Sequence, residues 1–273
     1  MKNRVLPGFH LSLGVTLFYV ALIIVLPLIA LVFKAASLGP YDYWAIISSP
    51  RAVASYRVTV LCAAVATTFN LFFGLALAWV LSRYRFPGRR IVDAIVDLPF
   101  ALPTAVAGIS LTTLFAPGGW FGGFLDPLGI QVAYTPIGIV VAMAFTSLPF
   151  IVRTVQPVLE EIDPALEEAA QSLGGTDREV FCRVILPLLK PALLAGVSLS
   201  FARGLGEFGA IIFIAGNQPF HTEITALLVF IRLEEYDYQA AAAIASVLLI
   251  TAFVMLAVTN ALQNRALRYT ERG

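Results

Sequence analysis

The chain has 273 residues, 59% of them hydrophobic and only 13% charged. Soluble domains carry about 25% charged residues, so this composition excludes an ordinary water-soluble fold. A formal net charge of +1 excludes the strongly basic footprint of a nucleic-acid-binding surface.

Apolar runs long enough for a ~30 Å hydrocarbon core, which takes ~20 residues, organise the chain. The first, residues 11–33, follows a basic N-terminus. At 23 residues it exceeds the ~7–15 residues of a cleavable signal core, so it reads as a retained first helix. Further spans are expected at 58–82, 98–117, 134–152, 191–216 and 239–263. The fifth is interrupted only by Arg203 and Glu207. The prediction is an all-α integral membrane protein of six transmembrane helices, forming one membrane domain over 1–273 with no second, soluble domain.

The loops give the orientation. Thirteen basic residues, among them Lys2, Arg4, Arg83, Arg89, Arg153, Lys190 and Arg272, fall on one side and four on the other. The positive-inside rule then puts both termini in the cytoplasm. Tyr41–Trp44 in the outer loop 34–57 suit the aromatic interfacial belt. Cys62 falls in a span and Cys182 in a cytoplasmic loop, which makes a disulfide between them improbable.

Residues 93–108, DAIVDLPFALPTAVAG, open the third span. Pro99 and Pro103 each remove a backbone donor, and Gly108 permits close helix approach. Two readings stand: a kinked packing helix, or a helix lining a translocation path. Asp93 and Asp97, four residues apart with Arg89 and Arg90 nearby, read as an interfacial charge cluster. The glycine-rich loop at 117–129 has no phosphate-cradle spacing, and residues 216–239 form the last outer loop, rich in mixed charge.

The segment 160–187, EEIDPALEEAAQSLGGTDREVFCRVILP, carries most of the functional signal. Asp163 suits an N-cap and Pro164 the first helical position. Leu166, Ala169, Ala170 and Leu173 recur at helical spacing, and Gly174 is placed to stop the helix. Thr176–Glu179 forms a capping box for a second short helix, which Leu186–Pro187 is expected to end, with Pro191 opening the fifth span. Such short helices are marginal alone. Either the hairpin caps its own bundle or it is held out to another protein.

Arg203 and Glu207 are the only charges deep in a span. An ionisable group there costs at least ~2.5–3.5 kcal/mol on insertion scales, and the i, i+4 spacing lets the two pair. Again two readings stand: a structural ion pair, or groups beside a path through the membrane with Gly204, Gly206 and Gly209 shaping a constriction. No Walker A, HExxH or GxSxG sequence occurs, so neither a catalytic nor a metal-ligating constellation is expected, and this chain is not read as an enzyme.

Glu168-Ala169-Ala170, three residues, Gly174, nine residues, then Val184-x-Leu186-Pro187 resembles the EAA loop of ABC importer permeases. Val184 stands where that pattern usually has Ile. RYRFPGR (83–89), DLPFALPTAVAG (97–108), AMAFTSLPFIVRTVQPVLEE (142–161) and LGEFGAIIFIAGN (205–217) resemble the sulfate/thiosulfate members of that family. The resemblance implies the type I ABC importer permease fold with a cytoplasmic coupling helix in the loop 153–190. It implies that Glu167, Glu168, Ala169, Ala170, Leu173, Gly174, Val184, Leu186 and Pro187 meet the ATPase. It leaves Arg203, Gly206, Glu207, Gly209, Pro99 and Pro103 as candidates for the translocation path. It further implies a partner permease of the W type, a homodimeric ATPase subunit binding ATP and magnesium, and a periplasmic sulfate- or thiosulfate-binding protein, with no cofactor held by this chain. A molybdate or tungstate permease is the near alternative, and an ion-coupled secondary anion transporter the alternative from another class.

Overall fold

The computed structural model describes residues 9–270; Lys2, Arg4 and Arg272 of the charge count lie outside the described residues. The first apolar run is a helix in two parts, α1 (Phe9–Val20) and α2 (Leu26–Ala36), joined by a π segment at Ala21–Val25. Pro27 sits in the first turn of α2. It cannot donate to the turn before it, and the wider π turn absorbs that loss.

The outer segment is more ordered than a loop. α3 (Pro40–Ile47) carries the exposed Tyr41 and Trp44, and α4 (Pro50–Arg83) begins eight residues ahead of the expected span. Ser49 caps α4, accepting a hydrogen bond from the Ala52 amide, and Pro50 follows at its first position. At 34 residues and 1.5 Å per residue, α4 is ~50 Å long. Arg51 and Arg57 therefore lie on a helix that runs well past the ~30 Å hydrocarbon layer.

The expected third span is not one straight crossing. α5 (Arg89–Ala101) and α6 (Thr104–Phe115) meet at 114°. Pro103 makes the corner, because the residue before a proline is driven out of helical conformation, and Leu102 has φ −82° and ψ 132°. Pro99, by contrast, is tolerated inside α5. A short turn, α7 (Gly122–Leu125), follows in the glycine-rich loop.

α8 (Pro136–Glu161) is the most deeply buried helix, with Ile139, Met143, Ile151 and Leu159 almost fully enclosed. The hairpin comes next as α9 (Pro164–Ser172) and α10 (Asp177–Val180). A π segment, Phe181–Ile185, carries α10 directly into α11 (Leu186–Leu205). Leu186–Pro187 thus does not end the second short helix as expected. Pro187 has no amide to give Arg183, and the π turn bypasses that missing bond. The result is one helical run of 29 residues, Asp177–Leu205.

The fifth span stops earlier than expected. Helix ends at Leu205, and only the one-turn α12 (Ile211–Ile214) follows. The last outer loop likewise holds a helix, α13 (Thr225–Glu234), whose Thr225, Leu227 and Leu228 are buried. α14 (Tyr238–Thr270) closes the described residues, eight residues longer than the predicted span.

Among the described residues five helices are long and apolar enough to cross a membrane, and six crossings result if α5 and α6 form one broken span. α4, α8 and α11 pack together as the centre of the bundle. Asn70 on α4 donates to Ser147 Oγ (2.9 Å) and to the Ala144 carbonyl (3.0 Å) on α8, while Ser200 Oγ on α11 donates to Ser147 Oγ (3.1 Å). Side-chain hydrogen bonds of this kind tie helices where lipid supplies no hydrophobic drive between them.

Candidate coupling hairpin and membrane path

The hairpin is built by local chemistry. Asp163 Oδ1 accepts from the Ala165 amide at 2.9 Å, starting α9 with Pro164 in its first turn. Gly174 takes φ +87°, the left-handed conformation that closes a helix C-terminus, and its amide and that of Gly175 donate to Gln171 and Ala170 carbonyls. Both halves of the Thr176–Glu179 capping box are present. The amide and hydroxyl of Thr176 donate to Glu179 Oε2 (3.1 and 3.0 Å). Those bonds hold the Glu179 carboxyl below its usual range, the backbone amide first, the hydroxyl next and nearby Arg183 last.

One side of the hairpin is fastened to the bundle. Val180 and Ile185 are buried among Leu81, Val155, Leu159 and Leu189, and Ala170 and Phe181 pack against the same cluster. Phe181 meets Trp79 edge to face with ring centroids 5.4 Å apart, and the Arg83 guanidinium lies over the same Trp79 ring at 5.5 Å. Arg83 Nη2 also reaches Glu167 Oε1 at 2.5 Å. Glu167 is therefore engaged by the bundle itself.

The other side is bare. Leu173 is 90% exposed, Leu166 is 47% exposed, and Glu168 and Ala169 are exposed between them. Val184 and Leu186 are half-buried, and Pro187 is exposed on the first turn of α11. Ala170, Leu173, Gly174, Val184 and Arg183 border a depression of about 300 Å³ beneath the hairpin tip. The structure thus separates the predicted set into anchors (Glu167, Ala170) and an outward face (Glu168, Ala169, Leu173), which Leu166, outside that set, extends.

The second group of residues also meets in space. Gly206 and Glu207 lie just past the end of α11, Arg203 is in its last turn, and Glu207 Oε2 stands 2.6 Å from Arg203 Nη1. Glu207 is 1% exposed and its Oε1 accepts from the Ala210 amide at 3.0 Å, whereas the Arg203 side chain keeps 31% exposure. The carboxylate serves the broken backbone, and the cation reaches open space. Gly209 abuts Thr104 at the start of α6, with no room for a side chain between them. A Cβ on Gly108 would come within 2.7 Å of Ala210 Cα. The corner made by Pro103 and the break after Leu205 therefore touch, backbone against backbone. In lipid such breaks persist only where protein or a water-filled cavity satisfies the freed groups. Pro99, inside α5, is not part of this contact.

Three partnerships were not visible in the sequence. Asp93 and Asp97 on α5 both bind Arg153 of α8, which also donates to Gln156. Arg89 approaches Glu160 at 3.5 Å. At the opposite end of the bundle Arg51 makes a bidentate pair with Glu223, which is 1% exposed, and Thr59 beside it bonds Thr225 through both hydroxyl and amide. These partners lie 56 to 172 residues apart, and no local pattern announces them. Cys62 and Cys182 are both free, one buried and one exposed. Among the described residues no cluster of metal-ligating side chains occurs.

A polytopic helical bundle with a capped hairpin projecting between spans, and two broken helices in contact, is the architecture of a membrane transport subunit. The chain belongs to the family of binding-protein-dependent transport system inner membrane components, whose model matches residues 70–268. It is 58% identical over 97% of its length to a sulfate transport system permease protein of Escherichia coli strain K12, covering 95% of that protein. It is 51% identical to the corresponding protein of Synechocystis sp. PCC 6803, over 93% of this chain and 89% of that one. In fold it matches a bacterial ABC transporter involved in import of the polysaccharide alginate, with TM-score 0.77, 19% identity and 94% coverage of both chains. A methionine ABC transporter matches with TM-score 0.61 and 18% identity, over 84% of this chain and 99% of that chain. The chain is accordingly a multi-pass inner-membrane permease with the ABC importer fold.

Proposed function

We propose that this chain is the membrane-spanning half of an ATP-driven importer of sulfate and thiosulfate, with both termini and the hairpin in the cytoplasm. The observation that carries the coupling part is the bare face of the hairpin. A leucine that is 90% exposed at the tip of a doubly capped, bundle-anchored helix is costly in water and suited to a cleft on a second protein. The anion assignment is supported by the 58% identity to sulfate permeases over nearly the whole chain.

In this reading a dimeric ATPase binds ATP and magnesium and grips α9, while a W-type permease forms the other half of the pore. A periplasmic sulfate- or thiosulfate-binding protein delivers the anion. Because Asp177–Leu205 is one helical run, displacement of the hairpin passes along α11 to Arg203 in its last turn, to which Glu207, two residues past the helix end, is paired. Arg203 offers the translocating dianion a partly exposed cation, and Glu207, held by the backbone, keeps that site too weak to trap it. Conduction requires such weak binding.

Affinity purification of the tagged chain from its own membranes, followed by mass spectrometry, tests the reading. An ATPase together with a second, distinct permease is the expected outcome, and Leu173→Asp is expected to lose the ATPase while keeping the permease partner. Recovery of an ATPase with this chain alone points to the homodimeric molybdate type. Recovery of no ATPase overturns the hairpin assignment. Arg203→Ala is expected to reduce sulfate uptake with the complex intact, and unchanged uptake removes Arg203 from the path.

A further inference from the structure

The turn joining α4 to α5 carries charge that the coupling hairpin and the pore leave unused. Arg83 is taken by Glu167, Arg153 by Asp93 and Asp97, and Arg89 by a looser contact with Glu160. Arg85 and Arg90 have no carboxylate partner among the described residues and are exposed. Arg85, Arg89 and Arg90 line an open pocket of about 610 Å³, whose one acid, Asp93, is drawn to Arg153 on α8. Three guanidinium groups facing one cavity favour a tetrahedral oxyanion, which arginine binds with a planar fork of donors.

What lies beside the pocket identifies the anion's carrier. α5 is amphipathic. Val96 is buried and Asp93 and Asp97 face α8, while Ile91, Ile95 and Leu98 form an i, i+4, i+7 stripe exposed by 66%, 58% and 44%. The stripe starts at the basic turn and runs away from it. The sharp 114° corner at Pro103 sets α5 at a steep angle to the span that follows. A basic head joined to an apolar helix face is the pattern of an interfacial helix on an anionic membrane. A free inorganic anion has use for the arginines and none for the stripe.

We propose that the Arg85–Arg90 turn and the apolar face of α5 bind an anionic phospholipid. Its phosphate sits among Arg85, Arg89 and Arg90, and its acyl chains lie along Ile91, Ile95 and Leu98. The assignment requires only that the chain spans a membrane, and it stands apart from the identity of the transported anion. Its consequence is mechanical. Arg153 ties the opposite face of α5 to α8 beside the hairpin, so lipid occupancy fixes the outer face of the element that leads into the broken third span.

The test is native mass spectrometry of the permease complex released from nanodiscs of phosphatidylcholine containing one-third phosphatidylglycerol, comparing wild type with R85Q/R90Q. A basic residue near an anionic surface contributes about 1 kcal/mol, or about fivefold, so the double variant is expected to retain phosphatidylglycerol about 25-fold less well. R85K/R90K, which keeps the charge, is expected to recover most of that retention. Equal retention by wild type and R85Q/R90Q, or none by either, overturns the proposal. Displacement of the lipid by millimolar inorganic sulfate also overturns it, assigning the pocket to a free anion, and Ile91→Ser/Ile95→Ser without effect on retention leads to the same conclusion. Because the readout is bound lipid and not transport, failure here leaves the importer assignment standing, and failure of that assignment leaves this result interpretable.

Discussion

Arg153 on α8 holds Asp97 on α5 with both arms of its guanidinium, Nε to Oδ1 and Nη2 to Oδ2, each at 2.7 Å. The remaining nitrogen donates to Asp93 Oδ1 and Gln156 Oε1, so a single side chain satisfies two carboxylates of one helix from the body of another. Paired arginine–carboxylate forks fix orientation as well as distance. The clasp sets the position of α5, and through the Pro103 corner the position of α6 against Ala210.

Replacing Arg153 by Lys keeps one charge and loses the fork. All three groups are between 30% and 50% exposed, so the stability contribution is that of a surface network, about 1 kcal/mol. We expect Arg153→Lys and Arg153→Ala to lower the thermal midpoint of the detergent-solubilised complex only slightly. They should reduce ATP-driven uptake severalfold, because α5 is no longer registered to α8. Parallel loss of stability and uptake by the same small factor refutes the positioning role.

The contact between the two broken helices leaves no room for a methyl group. A Cβ at Gly108 would lie 2.5 Å from the Ala210 carbonyl oxygen and 2.9 Å from its carbon. These are backbone atoms that cannot rotate aside. Gly108→Ala is expected to destabilise by about 1–3 kcal/mol, the usual range for overpacking, measured by thermal unfolding of the complex. Gly14→Ala, in a helix with nothing within 4 Å of the added atom, is the control and is expected to be neutral or slightly stabilising.

At the hairpin tip the constraint is conformational instead of steric. Gly174 has φ +87° and open space around it. Alanine in that left-handed region costs about 1–2 kcal/mol, and asparagine, which tolerates it, costs less. Hydrogen exchange of amides 173–180 should accelerate in Gly174→Ala and much less in Gly174→Asn. Similar acceleration in both places the defect in the lost glycine and not in the turn conformation.

The hairpin was legible residue by residue because its ends are written in local chemistry. Asp163 and Pro164 start α9, Gly174 stops it, and Thr176 with Glu179 starts α10, each acting on backbone no more than four residues away. The continuation of α10 into α11 was not legible, since Pro187 and Pro191 read as breaks and only a π turn packed against Leu81 and Leu159 lets the helix proceed. Pro103 announced a disturbance in the third span. The 114° corner depends on how α6 meets Ala210, more than a hundred residues on. Arg203 and Glu207 were readable as a pair from their spacing, but placing them at a helix end required knowing that Gly209 sits against α6. Arg51 and Glu223, 172 residues apart, had no shared sequence signal.

The capping box makes the hairpin pH-sensitive in a defined direction. The Glu179 carboxyl lies below its ordinary value of 4.5 because its charged form accepts the Thr176 amide and hydroxyl. A group depressed in the folded state binds fewer protons there than in the unfolded state, so its contribution is complete above pH 4.5 and is lost as the pH falls through the lower native value. Protection of the amides at the start of α10 should therefore be flat from neutrality down to about pH 5 and decline below about pH 4.5. Glu179→Gln, which is neutral at every pH, should start from weaker protection and show no such decline. If the variant and wild type decline together, the acid sensitivity belongs to other carboxylates, with Asp163 at the α9 cap the next to be substituted.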